Sequence, residues 1–140
     1  MKVLRVRPKH YPEVIDIDCS LESLQKEVEG PIQAVYPWDD EVALICNEEG
    51  KLYDDCMEKL NRTLDGPYGI PIDIIVGTFL IVGLTEDDFG ELLPEFVEKY
   101  EKMFHQPRKF ASSMVARKFV TYTDSEGKVH LDVDYCTPEE

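Results

Sequence analysis

Basic residues are scarce in this chain. Fifteen Lys and Arg stand against 29 Asp and Glu, a formal net charge of −14 in 140 residues. That balance argues against direct nucleic-acid binding, which needs clustered cations to displace the counterions of the phosphates. Long apolar runs are missing too. The longest, Ile74 to Leu84, contains Gly77, Thr78 and Gly83 and is too short to cross a bilayer, so no membrane partner is expected. The opening Met1-Lys2-Val3-Leu4-Arg5-Val6-Arg7 interrupts its apolar residues with charge and does not read as a signal peptide, which points to a cytoplasmic protein. The four cysteines, Cys19, Cys46, Cys56 and Cys136, form no Cys-x-x-Cys pair and have no His at ligand spacing, so they read as buried, reduced thiols. No Gly-x-Ser-x-Gly elbow exists, and no Gly-rich loop leads into a Lys. The three histidines, His10, His105 and His130, fall in turns or on the polar side of a strand. An enzyme is therefore the minority reading, and neither a cofactor nor a metal is expected.

What is present is enough apolar material for a core: 43% hydrophobic residues, with six Phe, seven Tyr and one Trp. The charge is unevenly distributed. Residues 1–12 hold four bases and no acid, whereas residues 13–65 hold four bases and fifteen acids. Either Arg5, Arg7 and Lys9 pair with the acidic middle, or the molecule carries one strongly negative face.

Periodicity assigns the elements. Residues 2–7 and 14–18 read as an N-terminal strand pair. Ser20 to Glu29 reads as a helix with Ser20 as N-cap, Leu21, Leu24 and Val28 on one face, and Gly30 as the left-handed residue that ends it. Ile32 to Tyr36 and Glu41 to Cys46 read as a hairpin. Tyr53, Cys56, Met57, Leu60 and Leu64 recur at helical spacing. Asp65 to Pro71 reads as a loop. Ile72 to Val82 is apolar without alternation, so it reads as the sheet's central strand, with Gly77 marking a bulge or a close approach. Pro94 to about Phe104 reads as a helix beginning at its proline. Lys118 to Thr123 and Lys128 to Tyr135 flank Asp124-Ser125-Glu126-Gly127, a hairpin signal. The expected class is α+β: a mixed, mostly antiparallel sheet with helices packed on one face.

The segments Ile32 to Trp38, Val42 to Leu52, Asn61-Arg62, and Asp73 to Gly83 together resemble a family of domains of unknown function, number three-eight-four-six. The resemblance covers roughly residues 1–104 and leaves Tyr53 to Leu60 and the C-terminal hairpin outside it. It implies a phage or mobile-element setting in Gram-positive bacteria and brings no catalytic residues. The chain thus divides into a family-like domain, 1–104, and a C-terminal hairpin extension of the same globular unit, 105–140.

Acidic pairs on expected turns are the candidate binding residues: Asp39, Asp40, Glu41, Glu48, Glu49, Asp54 and Asp55, with Trp38 as an apolar anchor. On this reading the protein is a non-enzymatic inhibitor, anti-CRISPR or anti-restriction in type. Its carboxylates occupy the Lys- and Arg-lined channel of a host nucleic-acid enzyme. The alternative is a small-ligand or regulatory module with a pocket near Tyr36, Trp38 and Tyr68. A third reading, a metal-dependent hydrolase, would use the carboxylate pairs, Glu86-Asp87-Asp88 among them, although no calcium-loop spacing is present.

Overall fold

The apolar strands alternate residues to both sides, and the sheet they form is covered on both. The computed structural model describes residues 1–108, 121–123 and 129–131. Strand β1 (Lys2–Val6) pairs antiparallel with β2 (Glu13–Asp16). Helix α1 spans Leu21–Val28, and β3 (Ile32–Val35) forms a hairpin with β4 (Val42–Asn47), pairing Ile32 with Asn47 and Val35 with Leu44. The hairpin of β5 (Leu60–Asp65) and β6 (Pro71–Val76) stands apart as a two-stranded sheet. Strand β7 (Phe79–Leu84) then inserts between β1 and β4, and β8 (Phe89–Gly90) pairs with its last two residues. The main sheet runs β2-β1-β7-β4-β3. Helix α2 spans Pro94–Met103. Strands β9 (Thr121–Thr123) and β10 (Val129–Leu131) pair antiparallel where a hairpin was expected; its turn residues lie outside the described ones.

The α+β class and the mostly antiparallel pairing match the expectation. The helices do not share a face. Leu24 and Val28 of α1 pack with Val3, Ala43, Ile45, Leu80 and Val82. Tyr100 of α2, and Phe104 just after it, pack with Leu4, Val6, Leu44, Phe79 and Ile81 on the opposite side, joined by Leu64 and Ile75 from the β5–β6 hairpin. The reason is the pleat: an apolar strand without alternation has two faces to bury, and one helix layer covers only one.

The apolar run expected as one strand is two. Gly77 takes φ +82°, a left-handed value that turns the chain, so Pro71–Val76 pairs with β5 and only Phe79–Leu84 is central. The buried Asn61 side chain fixes this turn, donating to the carbonyls of Gly77 at 2.8 Å and Val6 at 2.9 Å. The helix expected through Tyr53 to Leu64 is also absent. Short 3₁₀ turns at Gly50–Leu52 and Cys56–Lys59 lead into β5, so Cys56 and Met57 owe their spacing to a turn, whereas Leu60 and Leu64 are strand residues. Helix α1 has the expected cap, with Ser23 N–H donating to Ser20 Oγ at 3.1 Å, but Glu29, not Gly30, is its left-handed end, φ +65°. Gly30 is needed for space instead: a Cβ there would come within 2.5 Å of Asn47 Nδ2.

Candidate functional site

Strand register decides where the acidic residues gather. Val42 pairs with Gly83, Leu84 with Phe89 and Lys2 with Asp16, so these residues share one end of the sheet. Three acidic loops meet there. The β3–β4 turn carries Asp39, Asp40 and Glu41, and Leu84 N–H donates to the Glu41 carbonyl at 3.1 Å. The β7–β8 bend carries Glu86, Asp87 and Asp88, and it is tightened by Thr85 N–H donating to the Asp88 carbonyl at 2.7 Å. The loop after β2 carries Asp18 and reaches the bend through Cys19, whose thiol donates to the Phe89 carbonyl at 3.2 Å. Of these seven carboxylates all but Asp40 are exposed.

At the opposite end the acids meet cations. Arg5 binds Glu13 at 2.8 Å and Glu27 at 3.0 Å, and Arg7 binds the other oxygen of Glu13 at 2.8 Å. Hydrogen bonding from Arg5 holds the Glu13 carboxyl below the usual range. Lys51 pairs with Asp73, and Lys59 lies between Asp55 and Glu29. Arg5 and Arg7 therefore pair with the acidic middle, while exposed carboxylates stand at both ends of the sheet, Asp39, Glu41 and Glu86 to Asp88 at one and Glu48, Glu49 and Asp54 at the other.

The expected binding residues are divided by this geometry. Trp38, Asp39, Asp40 and Glu41 lie before β4, whereas Glu48, Glu49, Asp54 and Asp55 lie beyond its far end. A six-residue strand separates the groups by roughly 20 Å. Trp38 is half-buried, with its ring 4.5 Å from that of Tyr100 and 6.1 Å from that of Phe104, and it serves the core. Asp40 is engaged by Lys99 and by Tyr100 Oη at 2.7 Å, and these donors, Lys99 first, hold its carboxyl below the usual range. The acids missed as part of the group, Asp18 and Glu86 to Asp88, had only their strand-end positions as a signal.

Of the aromatic trio, Trp38 alone borders the cavity beside β5. Tyr36 is 59% exposed and Tyr68 is 85% exposed, and neither lines the cavity that Trp38 borders. That cavity measures about 670 Å³ and is walled by β5 and the end of α2. Among the described residues no three His, Cys, Asp or Glu side chains stand close enough together to hold a metal ion, and no helix is long and apolar enough to cross a membrane. Cys19, Cys46 and Cys56 are free thiols; Cys19 is exposed rather than buried, because it sits on the loop between β2 and α1, and Cys136 lies outside the described residues. Burial raises the pKa of Cys46. His10 and His105 are exposed, the latter stacked on Tyr11 and paired with Glu101 at 2.7 Å.

The family model described as Domain of unknown function (DUF3846) matches residues 1–105. No curated protein and no solved structure matches the chain.

Proposed function

We propose, for a chain that belongs to the family Domain of unknown function (DUF3846), that it is a non-enzymatic interaction protein whose acidic sheet end binds a basic protein partner. In its specific form the partner is a nucleic-acid-processing defence enzyme, and the protein, carried by a phage or mobile element, blocks that enzyme's channel.

One observation carries the reading: carboxylates from three loops converge at one end of a rigid sheet, where Lys2, the Met1 amino group paired with Asp16 and Lys99 paired with Asp40 are the cations described, while Arg5, Arg7, Lys51 and Lys59 pair with acids at the other. A cationic channel approached by such a molecule feels an oriented field, which speeds encounter. Carboxylates anchored on strand ends also present charge at little cost in ordering, the advantage of a pre-organised binder.

The test uses two variants. Glu41→Gln/Glu86→Gln/Asp87→Asn discharges the acidic end, and Glu48→Gln/Glu49→Gln discharges the other end. Immobilised wild-type protein is expected to retain, from a lysate of the source cells, a nucleic-acid-binding protein that duplex DNA displaces. Retention is expected to weaken severalfold for the triple variant and to stay near wild type for the double variant. Equal loss in both would reduce the effect to net charge. Retention of nothing that DNA displaces would end the mimicry reading.

A further inference from the structure

Strand β3 ends the main sheet, and its outer edge is open. Among the described residues no strand pairs with that edge, and none of its four residues is buried, whereas five of the six in β4 are. Register shows which backbone groups are left over. Residues of an antiparallel pair alternate between those that exchange hydrogen bonds and those that do not. Glu48 N–H donates to the Pro31 carbonyl at 2.8 Å, next to the pair of Ile32 with Asn47. Gln33 and Val35, two and four residues on from Pro31, therefore bond to β4, and the N–H and C=O groups of Ile32 and Ala34 point outward. Pro31 does not blunt the edge, because the donor it lacks would face β4.

Such an edge is a template for another strand unless charge or proline guards it. Strand β2, at the other end of the sheet, is guarded, since it carries Glu13 and Asp16. Strand β3 is not. Gly30 to Trp38 are nine consecutive residues without charge, in a chain whose residues are 31% charged. Tyr36, just after the strand, is 59% exposed. Leu52 is 77% exposed, and with Gln33, Val35, Cys46 and Ile74 it lines a groove of about 260 Å³ beside the edge.

We propose that two copies of this chain associate through β3, the strands pairing antiparallel about a two-fold axis into one continuous sheet. Charge selects the occupant. A second copy carries the same −14 and is repelled wherever carboxylates face it, so the neutral strip is where two copies can meet. A basic partner is drawn to the acidic loops instead. The edge also fits itself. With Ile32 of one copy opposite Ala34 of the other, outward groups meet outward groups and exchange two N–H···O bonds. The axis repeats that pair and leaves Gln33 nearest to itself. A strand this short makes a small interface, the class of weak, reversible association. The surface is separate from the acidic sheet end, so either proposal can fail alone.

Sedimentation equilibrium of the full chain tests this, at concentrations from about 1 µM to about 1 mM, in about 0.1 M and about 0.5 M sodium chloride. The expected result is a rise from the mass of one chain toward that of two, severalfold tighter at the higher salt because repulsion between copies is screened. Binding of a basic partner at the acidic end moves the opposite way with salt. Gln33 is exposed, so Gln33→Lys and Gln33→Glu are expected to keep the circular dichroism of wild type. Each sets like charges close to the two-fold axis, and each is expected to weaken association about tenfold or more under the same conditions. The lysine variant separates this from net charge. It takes each copy from −14 to −13, which by itself favours association. A mass that stays at one chain up to about 1 mM in the higher salt would overturn the proposal and leave the edge to a strand of another protein. A dimer that salt dissociates would overturn it too, as would one that forms as well in both Gln33 variants as in wild type.

Discussion

Asp40 shows what a single side chain gains from being met by two donors. Lys99 and the hydroxyl of the fully buried Tyr100 both donate to its Oδ2, linking the β3–β4 turn to α2. Tyr100→Phe leaves the ring's packing intact and removes one hydrogen bond to a partly solvated carboxylate, a loss of about 1 kcal/mol measured by chemical denaturation. Because the folded carboxyl sits below the ordinary value of an aspartate, Asp40 contributes stability that is complete above that ordinary value and is lost as pH falls through the folded one. Asp40→Asn is accordingly expected to melt a few degrees below wild type at pH 7, and the gap is expected to close near pH 2, where both side chains are neutral. A gap independent of pH would show that the amide disturbs packing instead. Neither Asp40's donors nor Arg62's burial was legible beforehand. Asp40's partners lie 59 and 60 residues away, and no local pattern distinguishes a surface turn acid from a tethered one. Arg62 stands in Leu60-Asn61-Arg62-Thr63-Leu64, where all five residues are buried, three of them polar.

Among the elements, those fixed by local chemistry were read correctly and those fixed by partners were not. Ser20 capped α1 because its hydroxyl satisfies an orphan N–H, and Pro94 opened α2 because a first-turn residue needs no donor. The β5–β6 hairpin was missed although Asp65-Gly66 between apolar runs is a hairpin signal. The helical spacing from Tyr53 to Leu64 masked it, since a 3₁₀ turn followed by a strand reproduces that spacing by chance. The split apolar run gives a direct contrast. Ile81 lies in the central strand at 0% exposure, and Ile72 lies on the free face of β6 at 62%. Ile81→Ala is expected to cost about 2–5 kcal/mol through lost burial and the cavity left behind. Ile72→Ala is expected to cost no more than about 0.5 kcal/mol. Equal losses in urea denaturation would mean the run is one buried strand after all.

At the scale of the whole molecule the fold decides where the described charge gathers. The fifteen acids of residues 13–65 are distributed by the fold to both ends of the sheet, which composition cannot reveal, because register alone brings residues 39–41 beside residues 86–88. Carboxylates crowded on three adjoining loops repel one another in the folded state, and salt relieves that repulsion. The melting temperature is therefore expected to rise as sodium chloride is raised from low to about physiological ionic strength, where the screening length is about 8 Å. The Glu41→Gln/Glu86→Gln/Asp87→Asn protein is expected to start higher at low salt and to rise less. Identical salt curves would show that these carboxylates are too far apart to feel one another.

The position of β7 has a kinetic consequence. It is the middle strand of the main sheet, yet it follows almost everything it pairs with: β1, β2, β3 and β4 all precede it, and β1 and β4 touch only through it. During synthesis the chain emerges as two separate hairpins, each with an edge of unpaired N–H and C=O groups facing the gap that β7 will fill. Folding must wait for residues 79–84, and the pairing of Leu4 with Ile81 closes a very long loop, so the rate should be set by that closure rather than by either helix. A chain that stops before residue 79 keeps both edges open, and its expected fate is aggregation through them.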